Sequence, residues 1–428
     1  MLTTLKPPTS LALIVWLAIG IVALVFGFVC ARSFFLDTLA TRLDIQDPSA
    51  RPLVDGLAAA APGNSNAHLM AAVYYERTFD VEDLNRSLIE YQAAAALDPS
   101  NYLLWLAVAQ AEDRVGDPTS ADVAFKRSMD LAPNYANVQW AYGNFLVRQG
   151  RGDEGFPLIS KAVGANPEFS GPAVSLVIQI TNGDVDATRR LLGNNDAVNS
   201  ALTTNFASLK KYNEAAAAWS SMSIEARQDK YREVGKSLLN SLLGDHQLRL
   251  AATVAGDLAG DENARPKVGQ IMSGGFENGV KLRNAGPFEW QISDGSNPQI
   301  GLNETQRHGG RYALSLVYGS PLEESARSIS QLVPVEPGAR YRLDLWYRSN
   351  LKSEAKYRWQ VSDAVSDKAL ATTGDMVPTE NWTALSVEIV VPTDSDGIKL
   401  QLMRTGCTTA VCATSGTIMF DDLTLTRE

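Results

Sequence analysis

The chain has 428 residues, 45% hydrophobic and 20% charged, with 19 Pro and 32 Gly. That balance excludes a disordered chain, and the length exceeds what one hydrophobic core organises, so two or three domains are expected. A net charge of -10 with no basic stripe removes the attraction that drives nucleic-acid binding, and no nucleic-acid partner is expected.

Ser10 to Val29 carries no charge, and about 20 apolar residues in a helix span a bilayer's hydrocarbon core. A cleavable signal sequence is the competing reading, but its apolar stretch is roughly 7 to 15 residues and ends in small residues. Here Phe26, Phe28 and Phe34 crowd the exit, and Cys30 lacks the small residues that a lipoprotein cleavage site needs before it. The segment is therefore expected to remain as a single-pass anchor over 10–31, after a short cytoplasmic tail over 1–9. Lys6 and the terminal amine face Arg32 and Arg42 across it, so the positive charges discriminate little between orientations; the expectation is a short tail inside and the bulk of the chain outside the cytoplasm, on the periplasmic or cell-surface side. Residues 32–64 are expected to form membrane-proximal capping helices.

A period follows. Pro99, Pro133 and Pro167 are spaced 34 residues apart, as are Gly116 and Gly150. In the unit ending at Pro133, the order is Trp105, a small Ala109, Ala121, Phe125, a small Ser128 and then Pro133. The next unit carries Trp140, Tyr142, Gly143, Ala162 and Pro167, and the preceding one Ala72, Tyr75, Tyr91 and Ala94 around a longer turn. Small residues let paired helices approach, aromatics fill the space between successive pairs, and proline ends the second helix. Period and pattern resemble the tetratricopeptide repeat family. Degenerate pairs extend the array: Leu176 to Leu192, broken at Asn182-Gly183-Asp184; the start Lys211-Tyr212 with Trp219; and Asp229 to Leu243 followed by His246 to Leu258. The array is assigned to residues 65–262. The resemblance implies an all-α solenoid whose concave groove docks a protein partner, with Leu106, Gln110, Asp113, Arg114, Trp140, Asn144 and Arg148 turned toward it. A plain solvated face, with Trp140 as packing, is the alternative.

After a polar linker over 263–271 the periodicity changes from 3.6 to 2. Tyr341, Leu343, Leu345 and Tyr347 alternate with Arg342, Asp344 and Trp346, and the alternation returns in Tyr357 to Val361, Ser386 to Val391 and Ile398 to Leu402. Such strands, separated by Pro337-Gly338 and Asp396-Gly397, predict an antiparallel β-sandwich over 272–428. Its borders, Gly274-Gly275-Phe276-Glu277-Asn278-Gly279 and Ile418-Met-Phe-Asp421-Asp422-Leu-Thr-Leu425, resemble those of jelly-roll carbohydrate-binding modules related to galactose-binding-like domains. That resemblance implies a structural calcium ion held by Glu277 and Asp421, the alternative being that both merely solvate strand ends. It also implies a glycan site, for which Asp344, Trp346 and Arg348 with Arg358 and Gln360 are the candidates: an aromatic platform flanked by planar polar groups. Trp290 and Trp359 read rather as core.

Cys407 and Cys412 suit a short-loop disulfide in an oxidising compartment; zinc would need a second Cys or His pair. The chain contains no HExxH, P-loop or GxSxG motif, so no catalytic residues and no required cofactor are expected. Two readings of function stand open beside a glycan-processing accessory. One is a cell-envelope binding protein with a protein-docking array and a polysaccharide-binding jelly roll, in polysaccharide production or export. The other is a structural scaffold that binds only proteins.

Overall fold

The structure is a computed structural model that describes residues 9–42, 44, 47–261, 264–319, 327–406 and 413–428. It contains an N-terminal apolar helix, an all-α region and an antiparallel β-sandwich, in that order. The chain divides into two compact units, Met1–Gly193 and Asn194–Glu428.

The first unit opens on α1 (Thr9–Arg42), one uninterrupted helix. Its stretch Leu13–Leu39 is long and apolar enough to cross a membrane, and none of it is buried. Leu36 and Leu39, beyond the most apolar part, pack on Leu57, Ala61, Ala67 and Met70 of α2 (Arg51–Ala60), α3 (Ser65–Glu76) and the turn between them. Arg32 donates to the Ala60 carbonyl at 2.6 Å and Asn66 donates to Asp37 at 2.9 Å.

Helix pairs follow: α3 with α4 (Val81–Leu97), α5 (Tyr102–Arg114) with α6 (Pro118–Leu131), α7 (Ala136–Arg148) with α8 (Gly152–Ala165), and α9 (Ser170–Ile180) with α10 (Val185–Leu192). Asn64, Asp80, Asn101, Asp117 and Asp184 cap α3, α4, α5, α6 and α10, each accepting from amides of the first turn that would otherwise lack partners. Pro99, Pro133 and Pro167 stand just past the ends of α4, α6 and α8, as the period predicts. Two side chains at equivalent positions fasten the turns: Trp105 donates to the Pro99 carbonyl at 3.0 Å, and Gln139 to the Pro133 carbonyl at 2.7 Å. Phe125 lies between pairs, its ring 5.4 Å from Tyr142 and 4.9 Å from Phe145. Gly143 and Gly155 form the close crossing of α7 on α8. A Cβ on Gly143 would sit 2.8 Å from Ile159 Cγ1, and one on Gly155 would sit 2.6 Å from the Gly143 carbonyl oxygen.

The second unit begins with α11 (Asp196–Ser208), α12 (Tyr212–Ser220), α13 (Ile224–Gln228), α14 (Arg232–Gly244) and α15 (Leu248–Ala259). Trp219 is fully buried and donates to Asp257 at 3.0 Å. The sandwich has a five-stranded sheet of β1 (Gln291–Ile292), β4 (Ile329–Pro334), β10 (Gly397–Thr405), β7 (Lys356–Asp363) and β8 (Ala369–Thr372), in that spatial order. The facing sheet runs β2 (Gln299–Asn303), β3 (Ala313–Tyr318), β11 (Thr414–Arg427), β5 (Arg340–Ser349) and β9 (Thr379–Val390), with β6 (Lys352–Ser353) paired to β11. Tyr341, Leu343, Leu345 and Tyr347 turn inward to meet Trp359, Val361, Leu400, Ile418 and Phe420, all at most 2% exposed. Trp290 and Trp359 are core, as expected.

Helix α15 has no cap of its own, because Gln247 at its N-terminus makes no side-chain cap bond. Asp396, in the turn before β10, supplies it: its two carboxylate oxygens accept from the amides of Leu248 and Arg249, each at 3.0 Å. Arg249 pairs with Glu336 at 3.2 Å, and Leu248 lies where a Cβ on Gly397 would be. The last helix is thereby joined to the sandwich inside one unit.

Two outcomes test this packing by thermal unfolding of the full chain. Gly143→Leu overpacks the α7–α8 crossing and lowers stability by about 1–3 kcal/mol or more; an unchanged midpoint contradicts the close approach. Asp396→Ala removes the cap from α15 and costs about 1 kcal/mol, whereas Asp396→Asn, which keeps an acceptor oxygen, costs less.

Candidate functional site

Along β7 and β10 the core takes every second side chain, Tyr357, Trp359 and Val361 on one and Ile398, Leu400 and Leu402 on the other. The alternate positions must then lie on the outer face of the five-stranded sheet. There the register aligns Gln291 with Ser330, Ser330 with Gln401, Gln401 with Gln360, and Gln360 with Thr372. The result is one polar row across all five strands, and each member is half-buried. Gln291 is held in place by donating to the carbonyls of Gly286 at 2.6 Å and Glu289 at 3.1 Å.

On one side of the row Lys399 stands opposite Leu332 and Ser362; on the other, Met403 stands opposite Arg358. Lys356 and Arg358 share the carboxylate of Asp375, at 3.0 and 2.6 Å, and the Lys356 ammonium with the Arg358 guanidinium holds that carboxyl below its ordinary range. Among the described residues of these strands, none that faces outward is aromatic. The amides can donate to and accept from hydroxyls lying across the sheet, and the guanidinium and ammonium groups can donate to hydroxyls or carboxylates there.

The outer face of the other sheet is differently arranged. Asp344, Trp346 and Arg348 project from β5, as the alternation predicts, but His308 stacks on Trp346 with centroids 4.0 Å apart and planes at 15°, and Trp382 meets His308 edge-on at 6.0 Å. The His308 loop is fastened from beneath. Asp421 Oδ2 accepts from the amides of His308 at 2.8 Å and Gly309 at 3.0 Å, and Glu277 Oε1 accepts from those of Arg311 at 2.8 Å and Tyr312 at 3.2 Å. Asp421 is fully buried, and desolvation pushes its carboxyl above the ordinary range. Gly310, with φ +49, passes so close to Glu277 that a Cβ there would overlap the carboxylate.

Two expectations are corrected by this geometry. Arg358 and Gln360 do not join Asp344, Trp346 and Arg348 in one site, because β7 and β5 belong to opposite sheets. Strands close in sequence are not neighbours where the chain crosses between layers. Nor is Trp346 a free platform, since His308 covers one face of its indole. Glu277 and Asp421 do converge, on the loop 308–312. Among the described residues, no group of three or more His, Cys, Asp or Glu is arranged to hold a metal ion. Cys407 and Cys412 lie outside the described residues.

In the first unit, Leu106 does not line an open groove; it is 8% exposed and belongs to the core between helices. Gln110 is exposed and Asn144 donates to the Trp140 carbonyl at 2.8 Å. Asp113 pairs with Arg148 at 2.6 Å and Arg114 with Glu76 at 2.9 Å, so successive first helices are linked by a repeated ion pair. Trp140 stacks on Phe169 at 5.0 Å. Sequence reasoning missed Glu76 and Phe169 as partners, and Lys399 and Gln401 as members of the sheet face. The latter two alternate with apolar residues in Ile398 to Leu402, a readable signal; that β10 would lie beside β7 was not readable.

Comparison with known proteins bears on the C-terminal domain. Residues 268–405, which include most of the sandwich, match the family described as carbohydrate binding domain. The chain is similar to TmCBM61, solved in complex with β-1,4-galactotriose, at 20% identity over 38% of this chain and 100% of that one, with a TM-score of 0.28. It is similar to the CBM22-1 xylan-binding domain from Paenibacillus barcinonensis at 15% identity, over 38% and 96% of the two chains, with a TM-score of 0.26. A CBM4 domain shares 14% identity over 37% and 99%, with a TM-score of 0.27. No curated protein matches the chain.

Proposed function

We propose that the protein is a non-enzymatic, membrane-anchored binding protein of the cell envelope, whose C-terminal domain holds a polysaccharide across the outer face of the five-stranded sheet. The observation that carries this is the row Gln291, Ser330, Gln401, Gln360 and Thr372, aligned strand by strand in a domain of carbohydrate-binding kind. Helix α1 serves as the single-pass anchor, with the bulk of the chain extracytoplasmic. The helix pairs serve as a tetratricopeptide array that docks a protein partner; their 34-residue spacing and the repeated turn and ion-pair contacts support this. A context of polysaccharide production or export suits both ends of the chain.

Titration calorimetry of the full chain in a sugar-free detergent, against galactan, xylan and acidic polysaccharides, tests the glycan reading. Removing both Gln360 and Gln401 side chains with alanine weakens binding by about tenfold or more, as two lost hydrogen bonds would, while Trp346→Ala leaves it nearly unchanged. Absence of binding to every glycan favours the scaffold that binds only proteins.

The convergence of Glu277 and Asp421 favours one further element, a structural calcium ion. The two carboxylates would be its charged ligands, with backbone carbonyls completing a shell of roughly six to eight oxygens. A cation there would also relieve the cost of ionising the buried Asp421. Millimolar calcium is then expected to raise the unfolding midpoint over that in chelator, and Asp421→Asn to abolish the shift; equal midpoints with and without calcium contradict the site.

A further inference from the structure

We infer that the polysaccharide held on this face is anionic, carrying uronate carboxylates or sulfate esters; the inference rests on the reading of the five-stranded sheet as the glycan face. The face has no outward aromatic among the described residues, so stacking on a sugar ring cannot supply the main attraction there. Charge can. Among the described residues, Lys356 and Arg358 share a single carboxylate, that of Asp375, two cations against one anion. Arg358 Nε is shielded from solvent and meets no acceptor among the described residues. Among the described residues Lys399 has only Asp367, at 3.8 Å and itself 80% exposed, paired with it as an opposing charge. These cations stand out on a chain whose net charge is -10.

Their placement fits a repeating anion. Arg358 and Lys399 lie on adjacent strands, on opposite sides of the Gln360–Gln401 pair. They are therefore separated by four residues along the strand direction, roughly 14 Å. The amide row between them would take hydroxyls, while the cations on either side of it take acidic groups that project from the two edges of the same polymer. A guanidinium presents paired donors that match a carboxylate or sulfate, and a lysine adds a mobile point charge. Asp375, already held ionised, keeps Lys356 and Arg358 folded onto the sheet until a ligand anion competes for them.

The experiment uses the full chain in a sugar-free detergent, titrated with polygalacturonate, dextran sulfate, and the neutral polymers galactan and dextran. At low salt at least one anionic polymer binds about tenfold or more tightly than its neutral counterpart. The advantage shrinks in 0.5 M sodium chloride, where the screening length falls to about 4 Å. Which of the two anions gains more decides between carboxylate and sulfate. Arg358→Gln with Lys399→Gln erases the preference. Both side chains are partly exposed, and the salt series on the unaltered protein gives the same answer without a mutant. Neutral polymers binding as well as anionic ones, independently of salt, would overturn the inference and leave the glycan face intact. Failure of every polymer to bind would overturn both.

Discussion

The antiparallel register that places Gln401 opposite both Ser330 and Gln360 is the constraint on which the C-terminal domain depends. Side chains along a strand alternate between faces, so a slip of one residue would carry Trp359, Val361 and Leu400 out to solvent and drive Gln360, Gln401 and Lys399 into the core. The core does not tolerate that exchange. Trp359 alone contacts the rings of Trp290 and Phe420, and an unpaired lysine or amide in its place would cost several kcal/mol. The apolar packing inside the sandwich therefore specifies the polar row outside it, and a rigid sheet presents that row without the ordering cost a loop would incur on binding.

The two outer faces differ because the domain's ends hold one of them closed. Glu277 near its start and Asp421 near its end both accept from amides of the loop 308–312, and that loop lays His308 on Trp346. Closure of this kind uses polar groups to fix a loop, and the surface proposed to hold a polymer is on the opposite sheet. At the strand ends of that sheet, Asp396 ties α15 to the turn before β10. The helix thus borders the domain as part of the same unit rather than trailing from it.

Much of this was legible in the sequence. The spacing of Pro99, Pro133 and Pro167 located the ends of α4, α6 and α8, and alternation located β5, β7 and β10 with their buried faces, because periodicity follows directly from which side chains meet a core. The repeat's small-residue positions point to Gly143 as a close approach, whereas nothing in the sequence points to its counterpart Gly155, since one glycine gives no sign of which partner approaches it. What periodicity cannot convey is which strands become neighbours. Alternation puts Trp346 and Arg358 on the polar faces of strands read as adjacent, and the crossing between sheets separates them. Likewise nothing in the segment around His308 announces that it folds over Trp346; that follows only once Glu277 and Asp421, far apart in the chain, both accept from the amides of that loop. Leu106 illustrates the same limit in the helices, where a repeat position that faces the groove by register is filled by packing.

The claim at the centre of the account is that ligand lies on the five-stranded sheet and not on the face around Trp346. Hydroxyl-radical footprinting of the full chain with and without a bound polysaccharide tests it most directly. Met403, a readily oxidised side chain opposite Arg358 on that sheet, reports one face, and Trp346 with Trp382 reports the other. The account predicts that bound polysaccharide protects Met403 while Trp346 and Trp382 oxidise as before. Protection of Trp346 and Trp382, with Met403 unchanged, would contradict it.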